Sequence, residues 1–256
     1  MKKLLATVAA AAIATAMSTA AFAEIKLGLD SAPYPPFADQ DASGNRTGFE
    51  IELGNAICEA MGEKCVWTPI AWDGIIPGLQ AKKIDAIFAS MSITEKRMKV
   101  INFSNKYYNT PAAIVAAKDS KIDGSPESLK GKIVGVQVST THADYAKKHY
   151  SDTAAEVKIY QGFDEHNNDI VAGRVDAVVA DSLAFADFLA EGGKDCCEIK
   201  GYLSDEAVFG KGVGVGMRKE DTELLAKFNA AIEKVRADGT YDKIAKKYFD
   251  FDIYGK

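Results

Sequence analysis

The spacing of apolar and polar positions along the chain predicts an α/β protein. Glu24 to Leu29 alternates as a strand, and Gly48 to Met61 carries its apolar residues at helical spacing. Cys65 to Pro69 reads as a strand and Ile75 to Ala81 as a helix. Ile84 to Phe88 reads as a short buried strand, followed by a helix that opens at Thr94 and Glu95. Ala112 to Ala117 and Ile133 to Val138 are further strands, the latter running into Ser139-Thr-Thr-His142 at a helix start. Thr222 to Ala237 and Tyr241 to Tyr248 are one-sided amphipathic helices separated by Asp238-Gly239. Between these elements, Asp30-Ser-Ala-Pro-Tyr-Pro-Pro-Phe37 is too proline-rich for a helix and predicts a stiff loop carrying an acid and two aromatics.

An internal echo organises the pattern. Leu79-Gln-Ala-Lys-Lys-Ile-Asp-Ala-Ile-Phe-Ala-Ser90 resembles Ile170-Val-Ala-Gly-Arg-Val-Asp-Ala-Val-Val-Ala-Asp181. Both read as a helix end, a turn, an Asp-Ala strand entry and a polar residue where the strand stops. Two similarly built α/β lobes are implied, with Ser90 and Asp181 at equivalent strand ends, where ligands sit in open α/β sheets. The glycine run Phe209-Gly-Lys-Gly-Val-Gly-Val-Gly-Met217 fits neither nucleotide fingerprint and reads as a chain crossing whose glycines allow close backbone approach.

Candidate chemistry concentrates after the Ile84–Phe88 segment. Ser90 and Ser92 follow the strand, and Ser92 with Glu95 has capping-box spacing. A strand ending in hydroxyls beside a helix N-terminus presents unpaired N–H groups to an anion. Arg97 falls in the first helical turn, where the helix dipole disfavours a cation. It is either a surface arginine or a two-pronged clamp for a carboxylate.

Charge and cysteine content narrow the classes. Met1-Lys-Lys3, the apolar stretch Leu4 to Met17 and Ala21-Phe-Ala23 have the form of a secretory signal peptide over residues 1–23. Removing it takes two lysines and moves the formal charge from −5 to −7, an acidic chain without a basic stripe, which argues against nucleic acid. The four cysteines fit an oxidising compartment. Cys58 and Cys65 sit between a helix and a strand, spaced for a disulfide. Cys196-Cys197 is either a vicinal disulfide or two thiols. None of the three histidines lies near a cysteine at ligand spacing, so neither a metal nor another cofactor is expected.

Tyr34-Pro-Pro-Phe37, Gly48-Phe-Glu-Ile-Glu-Leu53, Trp72-Asp-Gly-Ile-Ile-Pro77 and Ser92-Ile-Thr-Glu-Lys-Arg97 form one set of motifs. Gly173-Arg-Val-Asp-Ala177, Asp238-Gly-Thr-Tyr241 and Lys247-Tyr-Phe249 complete it. With these motifs, residues 24–256 resemble the periplasmic solute-binding proteins of polar amino-acid ABC transporters, especially the lysine/arginine/ornithine-, histidine- and arginine-binding members. The resemblance implies two Rossmann-like lobes joined by two crossing strands, the type II periplasmic-binding-protein fold. One lobe would comprise 24–109 and 211–256 and the other 112–206, with crossings near 109–112 and 207–211.

It further implies that Arg97 clamps a ligand α-carboxylate with Ser92 and Thr141, while Asp181 and the Ser90 carbonyl hold the α-ammonium. Tyr34 and Trp72 would sandwich the ligand side chain, facing each other across the cleft, and Asp30 would face its distal cation. Differences from the lysine/arginine/ornithine pattern fall at the distal pocket: one extra residue before Tyr34, Ala89 in place of serine, Gln137 in place of leucine and His142 in place of glutamine. Ala89-Ser-Met91 and Thr140-Thr-His142 look more like arginine-selective members. The expectation is a monomeric, non-catalytic receptor for a cationic amino acid, arginine first, serving an inner-membrane permease. A dehydratase on the same scaffold, with His142 or Asp30 as proton donor, and a sensory binding module are the alternatives.

Overall fold

The computed structural model describes residues 24–255, so the signal-peptide expectation for 1–23 lies outside the described residues. Two five-stranded sheets carry the chain. The first runs Cys65–Ile70, Ile25–Asp30, Ala86–Ile87, Gly216–Met217, Asn102–Phe103, and its first three strands are parallel. The second runs Cys197–Leu203, Ala112–Ala117, Ala177–Asp181, Ile133–Gln137, Glu156–Tyr160, and its last three are parallel. The chain therefore passes between sheets after Phe103 and again after Leu203.

The echo between the two strand entries is a structural identity. The Asp85 carboxylate accepts from the Lys26 N–H (3.0 Å), and the Asp85 N–H donates to the Lys26 carbonyl (2.8 Å). Asp176 does the same with Ile133, at 2.8 and 2.9 Å. In each half this aspartate fixes the register of a parallel strand pair whose carboxyl ends then face the other half.

The helix Phe49–Met61 shows why the amphipathic segments fold as they do. Its stripe Phe49, Leu53 and Ile57 is fully buried, each side chain contributing about 1.5–3 kcal/mol. Gly62 ends it in the left-handed region (φ 70°), where glycine carries no Cβ penalty. The Cys58–Cys65 disulfide ties its last turn to the next strand across a separation of 7 residues, worth about 2–3 kcal/mol in the chain-entropy model. Cys196 and Cys197 are also joined as a vicinal disulfide. In the glycine run, a Cβ on Gly210 would stand 2.0 Å from the Ile93 carbonyl oxygen, so the close backbone approach excludes any side chain.

Three local readings change. The Ile84–Phe88 segment is strand only at Ala86–Ile87. Ser92 does not cap the following helix: it bridges Val213, which keeps it extended, so the helix starts later, and Thr94 Oγ1 accepts from the Arg97 N–H at 3.2 Å instead. That helix is a single turn, Glu95–Met98, and the last helix spans Thr240–Ala245 rather than reaching Tyr248. Among the described residues, no helix is long and apolar enough to cross a membrane, and no group of three or more His, Cys, Asp or Glu side chains is placed to hold a metal ion.

Candidate ligand-binding site

A cleft of about 610 Å³, its mouth included, lies between the two halves. The carboxyl ends of parallel strands from both sheets supply Asp30, Gln137 and, just beyond a third strand, Ser90. Tyr34, Trp72, Ser92, Arg97, Thr140, Thr141 and His142 complete the expected residues on its walls. An adjoining hollow of about 450 Å³ shares Tyr34, Ser90, Ser92, Thr141 and His142 and adds Thr110 and Asp181. Met91 is the exception. It is buried in the core with Leu29 and Ile75 and lines neither space.

The halves meet across the cleft. Lys96 pairs with Asp144 at 2.7 Å, Gln137 Nε2 donates to Asp30 Oδ2 at 2.9 Å, and the Tyr34 ring meets Phe163 edge-on at 5.1 Å. This is a closed arrangement.

Arg97 dominates one wall. It is 8% exposed, and its guanidinium donates to the Ser92 carbonyl (3.1 Å) in one half and the Ser139 carbonyl (3.3 Å) in the other. Its ζ-carbon lies 5.5 Å from the centroid of the Trp72 ring. Among the described residues no carboxylate pairs with it, and burial lowers its pKa to about 10. Beside it, the ten-residue helix Thr141–Tyr150 presents its N-terminus. The Thr140 hydroxyl is occupied as the cap, accepting from the Ala143 N–H at 3.0 Å and donating to the Gln137 carbonyl at 2.8 Å. An uncompensated buried cation next to a helix N-terminus forms a site for an anion.

Carboxylates gather elsewhere. Asp181, 9% exposed, accepts from the Leu183 N–H at 2.9 Å and from the Thr110 hydroxyl, and burial pushes its carboxyl up to about 6. Glu50, 1% exposed, lines the cleft behind Ser90. It accepts from the Ser90 N–H (2.8 Å), the Ser90 hydroxyl (3.0 Å) and the Tyr107 hydroxyl. Burial pushes Glu50 up to about 7 against those donors. Its grip fixes Ser90 at φ 51°, a left-handed conformation that strains a non-glycine residue. Asp30 accepts from the Ala32 N–H (3.1 Å) and from Gln137, and burial raises its pKa.

Tyr34 and Trp72 both line the cleft. Tyr34 touches Phe37 and Phe163, while Trp72 packs near Arg97 with its indole N–H buried and unpartnered. Glu50, Phe163 and His166 are cleft residues that motif reading passes over. The signal for Glu50 was present: at i, i+3, i+7 with Leu53 and Ile57 it is an acid on an apolar stripe.

Residues 25–251 match the model of bacterial extracellular solute-binding proteins, family 3. The chain is 45% identical to the lysine/arginine/ornithine-binding periplasmic protein of Escherichia coli, over 94% of this chain and 93% of that one. It is 44% identical to the L-arginine-binding protein of Pseudomonas aeruginosa, over 90% of each. An ancestral arginine-binding protein solved bound to arginine superposes with a TM-score of 0.82 at 39% identity, over 88% of this chain and 98% of that one. With a buried Arg97 on the cleft wall, a part-buried Asp30 and a buried Asp181 at strand ends of the two sheets, and this sequence match across nearly its whole length, the chain belongs to the bacterial extracellular solute-binding proteins of family 3.

Proposed function

We propose that the protein is a periplasmic receptor that closes around a cationic L-amino acid, arginine before lysine, ornithine or histidine, and delivers it to an inner-membrane ABC importer. The carrying observation is the charge layout: a buried Arg97 with no carboxylate partner among the described residues, the carboxylates of Glu50 and Asp30 on the cleft wall, and that of Asp181 at the adjoining hollow. A zwitterion with an extra distal cation complements that layout. In this reading Arg97 clamps the α-carboxylate with Ser92 and the Thr141 end of its helix. Asp181 and the Ser90 carbonyl hold the α-ammonium, Tyr34 and Trp72 form apolar walls, and Asp30 with Gln137 faces the distal charge. His142 fits a lining role rather than an acid's, since burial pushes its imidazole down to about 3, helped by His166 and Arg97. The lobes would be 24–109 with 211–256 and 112–206, residues 1–23 a cleaved leader, and the working form a monomer.

Specificity provides the direct test. A buried carboxylate adds a charge-assisted bond to a cationic side chain and leaves a neutral one poorly matched. Asp30→Asn is expected to shrink the arginine-to-glutamine affinity ratio by about 1.5–3 kcal/mol, while recognition of the α-groups persists. A competition series on both proteins measures this. A wild type that prefers glutamine or glutamate would end the cationic reading.

Binding should also release protons. Glu50 near 7 and Asp181 near 6 are partly protonated at neutral pH. An ammonium placed beside them favours their ionised forms, so their pKa values fall on binding and protons leave. Affinity is therefore expected to rise with pH from about 5 to 7 and flatten above. At pH 6.5, calorimetric heats should be more exothermic in a buffer with a large protonation enthalpy than in phosphate. Equal heats in the two buffers would refute the linkage.

A further inference from the structure

The helix Phe163–Val171 buries Phe163, His166, Asn167 and Ile170, a single stripe at i, i+3, i+4 and i+7. Two members of that stripe are polar. His166 is 0% exposed and lines the cleft, yet among the described residues neither of its ring nitrogens meets a partner in good hydrogen-bond geometry, its polar neighbour being the Asn167 side chain, whose amide oxygen is likewise unmatched. The ring sits among aromatics, edge-on to Phe163 at 5.1 Å, with Tyr160 at 6.1 Å and Phe185 at 6.4 Å. Buried polar groups are almost always hydrogen-bonded, so an orphaned one on a cleft wall points to a partner that enters the cleft.

The chemistry of that partner follows from the imidazole. Burial pushes it down to about 3, so it is neutral at any physiological pH, with one N–H and one lone pair. The Asn167 oxygen only accepts, and it is the neighbour suited to the ring N–H. The lone pair then remains for the cleft. His166 lines the cleft together with Asp30, Gln137 and Phe163, none of which reaches the hollow that holds Asp181 and Thr110. It therefore belongs to the end remote from the ammonium site.

We propose that His166 is a specificity-determining residue whose ring nitrogen accepts a hydrogen bond from the terminal N–H groups of a cationic ligand side chain, alongside Asp30. This rests on the receptor reading given above. A guanidinium carries five N–H donors in a rigid fork and can serve two separate acceptors at once. The pair Asp30 and His166 thus favours arginine over a side chain with a single terminal nitrogen.

The test uses the mature protein, arginine and lysine, and two variants. His166→Leu, similar in bulk but without an acceptor, should weaken arginine binding about tenfold or more, the size of one hydrogen bond to a charged group. His166→Gln, which restores an acceptor, should recover most of that loss. In the wild type, the ¹⁵N resonance of the unprotonated ring nitrogen of His166 should move on arginine addition, a change that a packing role does not produce. The inference is overturned if His166→Leu binds arginine within twofold of wild type, if His166→Gln is no better than His166→Leu, or if the ring resonance stays still. A wild type that binds none of arginine, lysine, ornithine and histidine would instead overturn the receptor reading, and this inference with it.

Discussion

Arg97→Ala is expected to abolish binding of every α-amino acid, whatever its side chain. Arg97 is the buried cation of the cleft, its hydrogen bonds go to the Ser92 and Ser139 carbonyls, and it lacks a carboxylate partner among the described residues. A ligand carboxylate would be its counter-ion, reinforced by the N-terminus of Thr141–Tyr150. Removing one member of a buried charge pair costs about 2–5 kcal/mol, on the order of 30- to 5,000-fold in affinity. Arg97→Lys should recover little, because an ammonium lacks the planar fork that spans both carbonyls and a carboxylate. The ligand-free variant should melt no lower than wild type, since an unpaired buried charge is removed. Calorimetry with arginine, lysine and glutamine measures the loss. A change of under twofold would remove Arg97 from the site.

The parts of this picture that sequence made legible are those where one residue type conflicts with its setting or repeats it. Asp85 and Asp176 repeat, and the same hydrogen-bonding role stands behind both. Arg97 conflicts with the helix dipole at its position, and that conflict marks the buried cation. What stayed hidden depends on long-range pairing. Ser92 has capping-box spacing, but its backbone bridge to Val213, more than a hundred residues away, holds it extended and hands the cap to Thr94. Met91 sits between two cleft residues in sequence, yet its side chain packs into the core. Glu50 and His166 lie on apolar helical stripes, where motif matching counts them as exceptions rather than as groups facing a cleft. The contact of Trp72 with Arg97, and that of Tyr34 with Phe163 of the other half, are long-range placements that no local pattern encodes.

Asp181→Asn should separate recognition of the α-ammonium from the rest of the site. Asp181 ends the strand Ala177–Asp181, is fixed by the Leu183 N–H and the Thr110 hydroxyl, and faces the hollow that Ser90 and Tyr34 also line. Asparagine keeps the size and one acceptor oxygen, so the strand end should stand while the charge goes. Arginine is expected to lose about 2–5 kcal/mol of binding, because its ammonium would be desolvated without its anion. Asp181 is half-protonated near pH 6 in the wild type and must ionise on binding, so the Asp181→Asn defect should be smaller at pH 6 than at pH 8, while Glu50 stays behind Ser90 in both proteins. The second arm uses an arginine analogue without the α-amino group, which Arg97 and Asp30 can still hold. Wild type should bind it far more weakly than arginine, and Asp181→Asn should bind it as well as wild type does. Arginine and its deaminated analogue would then converge in affinity on the variant. If the substitution weakens both ligands by the same factor, Asp181 supports the fold of the strand end and the ammonium is held elsewhere.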